Sequence, residues 1–271
     1  MTTNTTTYTA TSLQKNYLVG TVRLLCILLW ILCTPVVFVV SRLLRIPGHG
    51  RLIPLFHAGL CRILGIETVV SGELCTARPT LYVSNHCSYL DVFVLGFLPA
   101  YFIAKSEVAG WPVLGSLAKL QNTLFVERRA GKAKHQLHTM QAHLAEGNSL
   151  TLFAEGTSTD GAHVEPFKSS LFAAANLGES DRRVAIQPIT VAYTHYNGER
   201  IVEQGVRDHY AWYARMPFTP HFLGLMPLKK VRAKIHLHPV CYLDEFETRK
   251  LCADHCQQVV ADKLDEFIQT D

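Results

Sequence analysis

Three features that would point directly to a function are missing from this sequence. Charge is nearly balanced, with 26 Lys and Arg against 22 Asp and Glu in 271 residues, and the net charge of +4 argues against a dedicated nucleic-acid binder. The eight cysteines form no Cys-x-x-Cys pair, which argues against a zinc ribbon and a disulfide framework. No Gly-x-Ser-x-Gly motif surrounds Ser88, so nothing there indicates the nucleophile elbow of a hydrolase.

The cysteines are therefore interpreted as reduced thiols facing a cytosolic compartment. Cys252, His255 and Cys256 lie about one helical turn apart and could touch a metal ion. A structural zinc site normally has four ligands, however, so we favour helix-packing thiols. We expect neither a bound metal nor a cofactor.

One long hydrophobic run lies near the beginning of the chain. Leu24 to Val40 is almost wholly apolar, and with residues 17–21 it reaches the roughly 20 residues that a bilayer-crossing helix needs. Arg23 and Pro35 interrupt the pattern, so a kinked hairpin or a helix lying in the membrane plane stays open. A cleaved signal peptide is disfavoured because no small-x-small pattern follows the run.

Basic residues follow this run at Arg42, Arg45 and Arg51. The positive-inside bias therefore predicts that the bulk of the chain faces the cytoplasm. We divide the chain into three parts: a disordered, Thr-rich N-terminus (1–16), a membrane anchor with a basic juxtamembrane segment (17–65), and one catalytic domain (66–271).

Beyond residue 66, short apolar runs alternate with helical periodicity. Strands are predicted at Thr80–Ser84, Tyr101–Ala104, Thr123–Glu127, Ser149–Ala154, Ala185–Ala192 and Lys234–Leu237. Helices are predicted at Tyr89–Leu98, Trp111–Leu120, Lys132–Glu146, Phe167–Leu177 and Glu245–Ile268. This alternation predicts an α/β fold with a mostly parallel sheet flanked by helices.

His86 and Asp91 form the first candidate site. They follow the predicted strand Thr80–Ser84, at the strand end where α/β folds usually carry their chemistry. A turn between them would let the carboxylate bind one imidazole nitrogen, and the other nitrogen could then take a proton from a hydroxyl. A purely structural His–Asp hydrogen bond is the alternative. A covalent intermediate on Cys87 or Ser88 is disfavoured, because sequence neighbours rarely have the geometry of a nucleophile and its base.

Glu155 and Gly156 form a second candidate site, at the end of the predicted strand Ser149–Ala154. The Gly turn would bring an acid and backbone N–H groups to the same sheet edge as His86. Such N–H groups can hold an anion or polarise a carbonyl. A turn with a capping Glu is the alternative.

Other positions suit recognition of anions or lipid. Arg128 and Arg129 end a predicted strand and fit phosphate or carboxylate, unless they form a solvated edge. Lys168 begins a helix or contacts an anion. In residues 212–230, aromatic, apolar and basic side chains alternate. This pattern fits either an interfacial segment through which lipid enters or a packed surface loop.

Four blocks occur in the order and spacing of a known family. They are Asn-His-x-Ser-x-x-Asp at 85–91, Phe-Val-x-Arg at 125–128, Phe-x-Glu-Gly-Thr at 153–157, and a Pro-containing strand around Pro188. Over roughly residues 60–200 the chain resembles the glycerolipid acyltransferases typified by 1-acylglycerol-3-phosphate acyltransferase.

This resemblance implies a membrane-bound enzyme that moves a fatty acyl group from acyl carrier protein or coenzyme A to the free hydroxyl of a lysolipid. His86 would be the general base and Asp91 its orienter. The implied substrate-binding residues are Asn85, Arg128, Glu155, Gly156, Thr157, Lys168 and Pro188. The implied partners are the acyl donor, the lysolipid and the bilayer, with no nucleic acid.

One position departs from the family pattern. The third block usually reads Phe-Pro-Glu-Gly-Thr-Arg, and here the Pro is Ala154 and the Arg is Ser158. Losing a charge-assisted contact should cost about 1.5–3 kcal/mol of binding to a phosphate-bearing acceptor.

Together with Tyr210-Ala211-Trp212-Tyr213, this departure makes the chain look most like the lyso-ornithine lipid O-acyltransferase branch. The headgroup of that acceptor has an amine and a carboxylate but no phosphate. A 1-acyl-sn-glycerol-3-phosphate acyltransferase is the alternative. A lipid esterase and a non-catalytic membrane adaptor are less favoured.

Overall fold

A mixed, mostly parallel sheet forms the centre of the computed structural model, which describes residues 13–127, 130–178 and 182–270. Its strands are β1 (Ile66–Gly72), β2 (Thr80–Ser84), β3 (Tyr101–Lys105), β4 (Leu124–Val126), β5 (Leu150–Phe153), β6 (Ala185–Tyr196), β7 (Glu199–Arg200), β8 (Val231–Leu237) and β9 (Cys241–Tyr242). The order is β1-β8-β6-β2-β5-β3-β4, and β7 and β9 also pair with β6. Strand β6 is antiparallel to β7, β8 and β9, and the other pairs are parallel.

Helices cover both faces of this sheet. They are α1 (Tyr17–Leu43), α2 (Leu52–Leu64), α3 (Leu90–Val94), α4 (Leu114–Leu120), α5 (Ala133–Ala145), α6 (Ser169–Phe172), α7 (Gln204–Arg207), α8 (Phe218–Leu225) and α9 (Arg249–Gln269). Neighbouring residues of β2 pack into different cores, because successive side chains of a strand point to opposite faces. Tyr82 joins the core with α2 and α3, whereas Leu81 and Val83 join the core with α5 and α9.

The predicted α/β fold is confirmed, although several boundaries were wrong. Every predicted strand is present, Thr80–Ser84 with its predicted bounds and the others with shifted ends. Strand β1 was missed because all of its residues after Ile66 are exposed and show no buried alternation. The helix predicted at Tyr89–Leu98 ends at Val94, shortly before Gly96, where α2 comes so close that a Cβ would lie 2.1 Å from the His57 ring. The helix predicted at Phe167–Leu177 is only a short turn, Ser169–Phe172, followed by a 3-10 turn.

Helix α1 is apolar on nearly all sides and is the one candidate membrane span among the described residues. Its contacts with the domain run along its length. Arg23 donates hydrogen bonds to the carbonyls of Met226 and Leu228, and the Trp30 indole N–H donates to the Phe56 carbonyl at 3.1 Å. The helix therefore has one side on the domain and, among the described residues, a broad apolar side that is exposed.

Residues 1–12 of the segment expected to be disordered lie outside the described residues. The expectation does not hold for the end of that segment. Leu13 is buried in the core with α2, and the Asn16 N–H donates to the Pro227 carbonyl at 2.8 Å. The Asn16 side chain also caps α1 by accepting from the Val19 N–H. These contacts anchor the chain before α1 begins.

Candidate active site

His86 and Glu155 meet at one edge of the sheet. Each lies two residues beyond the end of its strand, and β2 and β5 are parallel neighbours with Ser84 opposite Phe153. The carboxyl ends of parallel strands lie at the same edge, which is where ligand crevices form in such sheets. The fold therefore brings together the two candidate sites that the sequence placed 69 residues apart, with the His86 N–H donating to Glu155 Oε1 at 2.6 Å.

Asp91 binds the imidazole of His86. Its Oδ2 lies 2.8 Å from His86 Nδ1 and also accepts the backbone N–H groups of Cys87 at 2.8 Å and Ser88 at 2.9 Å. Asp91 is fully buried at the start of α3, where a carboxylate suits the helix N-terminus. Because Nδ1 must donate to this carboxylate, Nε2 is the nitrogen that can accept a proton. The imidazole remains 21% exposed.

Tyr193 contacts the other oxygen of Asp91, and the sequence analysis did not find it. Its hydroxyl donates to Asp91 Oδ1 at 3.0 Å from the middle of β6. Burial raises the pKa of Tyr193 well above its ordinary value, so the group stays a neutral donor. A tyrosine inside an apolar strand was the available signal, but its partner depends on how β6 aligns with β2.

Phe153, the last residue of β5, supports the imidazole from one side. Its ring stacks on His86 with centroids 3.8 Å apart and planes 14° from parallel. This contact and the hydrogen bond to Asp91 fix both the position and the rotation of the ring. Thr159 fixes the backbone of His86, since the Thr159 N–H donates to the His86 carbonyl at 2.9 Å.

Glu155 acts on backbone atoms in this structure. Oε1 accepts the His86 N–H, and Oε2 accepts the Glu165 N–H at 2.8 Å. The residue is 2% exposed, and burial raises its pKa to about 8 against the lowering effect of the two hydrogen bonds. The side chain thereby ties the loop after β5 to the loop after β2.

Gly156 follows with φ at +72°, a conformation that favours glycine. A Cβ at this position would lie 2.5 Å from Lys168 Nζ, so the lysine side chain lies over the turn. Lys168 is exposed, as is Thr157 beside the turn. The Lys168 ammonium group and the turn at Gly156 therefore lie together next to Glu155.

Three further residues were predicted to bind substrate: Asn85, Pro188 and Arg128. Asn85 is buried, and its side-chain amide makes two hydrogen bonds to the backbone of Val191, at 2.8 and 2.9 Å. Pro188 lies within β6 opposite Val83, and its carbonyl accepts the His238 N–H. Arg128 lies outside the described residues.

Neither side chain next to His86 is presented as a nucleophile. Cys87 is 3% exposed, and burial raises the pKa of its thiol well above the ordinary value. Such a thiol is inert, because the thiolate is the reactive form. Ser88 is fully buried, and its hydroxyl accepts the Leu90 N–H at 3.3 Å.

An aromatic cluster lies beside this loop and is built from α3, α8 and the segments before them. The backbone N–H of Trp212 donates to the Cys87 carbonyl at 2.7 Å. The Tyr89 ring packs edge-on against Trp212 and Phe218, and its hydroxyl lies 3.1 Å from His221 Nδ1. Half-buried rings of the segment 212–222 thus pack beside the loop that carries His86.

Comparisons with known proteins agree on the class of enzyme. The Acyltransferase family model matches residues 65–192. A lyso-ornithine lipid O-acyltransferase from Rhodobacter capsulatus is 35% identical over 79% of this chain and 77% of its own length. One from Brucella abortus is 40% identical over 66% of this chain and 69% of its own.

A solved structure shows the same fold. The crystal structure of the 1-acyl-sn-glycerophosphate acyltransferase from Thermotoga maritima aligns with a TM-score of 0.69 at 19% identity, covering 94% of this chain and 97% of that one. The sequence relationships define an acyltransferase. The chain belongs to the lysolipid O-acyltransferase family.

Proposed function

We propose that this enzyme transfers a fatty acyl group from an acyl thioester to the hydroxyl of a lysolipid by direct attack, with His86 as general base. The hydrogen bond between His86 Nδ1 and the buried Asp91 carries the proposal, because it leaves Nε2 to take the hydroxyl proton. The oxygen then attacks the thioester carbonyl, and the thiolate leaves and takes up the proton. Buried Cys87 and Ser88 support attack without a covalent intermediate.

Substitution of His86 tests this mechanism. His86→Ala should lower kcat about 100- to 10,000-fold, the usual contribution of a positioned base. His163→Ala, in the neighbouring loop and largely exposed, is the matched control and should retain activity. The Cys87→Ala and Ser88→Ala variants should also retain acyl-transfer activity. Loss of turnover in either, with activity retained in His86→Ala, would instead favour the esterase mechanism.

We further propose lyso-ornithine lipid as the acceptor. The support is the resemblance of the chain to enzymes with that name and the serine at position 158. Ser158 is half-buried and precedes Thr159, which binds the His86 carbonyl, so position 158 belongs to the loop that contacts His86 and forms one wall of the proposed site. A phosphate at this wall would lack the charge-assisted partner that an arginine provides.

The acceptor is tested by supplying lyso-ornithine lipid or lysophosphatidic acid to the purified enzyme and following products by mass spectrometry. Each acceptor is paired with acyl carrier protein and coenzyme A thioesters, so that the donor is identified in the same assay. Acylation of lysophosphatidic acid alone would contradict the proposed acceptor. Ser158→Arg should improve use of the phosphate-bearing acceptor by about tenfold or more.

For localisation, we propose that α1 anchors the enzyme to the cytoplasmic face of a membrane. Its exposed side carries leucines and valines from Leu18 to Val40. Because its opposite side follows the domain from Arg23 to Trp30 and beyond, an anchor lying in one leaflet is favoured over a span that projects away. Protease protection of closed, inside-out vesicles tests this: cleavage of the domain is expected, and full protection would contradict it.

A further inference from the structure

Three cysteines form a buried cluster on the face of the sheet opposite His86. Cys241 belongs to β9, and Cys252 and Cys256 lie on the first half of α9. Their exposed fractions are 6%, 0% and 0%. They pack in the core with α5 and α9, whereas Phe153 and Tyr193 of the active site lie in the other core.

The spacing along the chain explains how the three sulfurs meet. Cys252 and Cys256 are four residues apart and therefore share one side of the helix. Strand β9 pairs with the beginning of β6, with Cys241 opposite Ile186, and this pairing holds the third thiol under α9. All three sulfur atoms lie within 4.8 Å of one another.

The distance between two of these sulfurs matches the coordination geometry of thiolate-bound metals. A tetrahedral ion with metal–sulfur bonds of about 2.3 Å separates its sulfurs by about 3.8 Å. Cys241 Sγ lies 3.8 Å from Cys256 Sγ. An ion could therefore enter between the three sulfurs with small movements of the side chains, and each thiol would release its proton to solvent on binding.

We propose that Cys241, Cys252 and Cys256 form a three-thiolate site for a thiophilic metal ion of the Zn²⁺ or Cu⁺ class. Soft thiolate ligands select these ions over harder ones. Cu⁺ is satisfied by three sulfurs, whereas Zn²⁺ would take water or the exposed His255 of the same helix as a fourth ligand. A bound ion would link β9 to α9. Because the site lies across the sheet from the reaction centre, its role would be to stabilise the fold rather than to take part in the reaction.

Cadmium provides a direct test because its thiolate complexes absorb in the ultraviolet. The full chain in detergent, stripped by a chelator and kept reduced by a phosphine, is titrated with Cd²⁺. Cys26→Ser, Cys33→Ser and Cys75→Ser are combined as the background, since these thiols are exposed or half-buried and outside the cluster. We expect a charge-transfer band that saturates at about one ion per chain, and a higher Tm. Competition by Zn²⁺ and Cu⁺ in separate titrations identifies the preferred ion.

Cys256→Ala in the same background should lose both the band and the metal-dependent rise in Tm while keeping a cooperative unfolding transition. X-ray absorption of the zinc- or copper-loaded background protein requires no cluster variant and should show three sulfur neighbours, at about 2.3 Å for zinc. A folded background protein without the band, equal binding by Cys256→Ala, or a shell of nitrogen and oxygen alone would each overturn the proposal.

Discussion

Two buried acidic side chains hold His86 from different directions, and they act on different parts of the residue. Asp91, at the start of α3, binds the imidazole. Glu155, in the loop after β5, binds the backbone N–H. Both are almost fully buried, at 0% and 2% exposed.

Their partners differ, and this difference assigns their roles. Asp91 accepts from five donors: the His86 ring, the backbone N–H groups of Cys87 and Ser88, the Cys87 thiol and the Tyr193 hydroxyl. Glu155 accepts two backbone N–H groups, which do not fully offset its burial. A carboxylate that accepts from the imidazole sets the tautomer of the histidine, whereas a carboxyl group that accepts only backbone N–H groups positions the residue.

The largest effect is expected for Asp91→Asn. The asparagine amide can donate to Nδ1, which favours the tautomer with the proton on Nε2 and removes the base. We expect kcat to fall about 1,000- to 10,000-fold, with little change in KM. Steady-state kinetics measures this, and Asp160→Asn in the loop after β5 is the control. A loss confined to KM would contradict the role of orienter.

Glu155→Gln should act mainly on stability. One backbone N–H would then face the amide NH₂ group, and leaving a buried donor unsatisfied costs about 1–3 kcal/mol. Denaturant unfolding near pH 5 measures the free energy of unfolding, and the half-exposed Glu165→Gln is the matched control. An unchanged free energy would show that Glu155 does not join the two loops.

Tyr193→Phe should have a smaller effect on catalysis. It removes one donor from Asp91, so the orientation of His86 weakens, and a fall in kcat of about tenfold is expected from the loss of about 1–1.5 kcal/mol. Tyr196→Phe is the control, since it lies on the same strand with its hydroxyl on the Gln14 carbonyl. A shift in the pH profile of kcat is expected for Tyr193→Phe alone, and equal effects in both variants would indicate a merely structural role.

The last prediction concerns pH. Because the pKa of Glu155 is raised from 4.5 to about 8, the folded state keeps a proton that the unfolded chain releases within this window. The free energy of unfolding should therefore fall as pH rises from about 4.5 to 8. Glu155→Gln cannot titrate there, so its deficit relative to wild type should shrink with rising pH. A deficit that grows would mean that Glu155 is charged in the folded state.

Much of the site was predictable because it lies at strand ends. His86 and Asp91 are five residues apart, so a local turn is enough to join them, and the predicted strands before His86 and Glu155 exist with nearly the predicted bounds. Tyr193 and Phe153 were not recognised as partners. Their contacts depend on strand register and on ring packing, which have no local signature.

By itself, the sequence determined the α/β class, the apolar character of α1 and the pairing of His86 with Asp91, because hydrophobic periodicity and short-range turns are local properties. Only the tertiary structure decided that Glu155 binds the backbone of His86, that Tyr193 completes the environment of Asp91, and that Cys241 joins Cys252 and Cys256. Each of these contacts joins separate elements, and sheet order and helix packing alone set the distance between them.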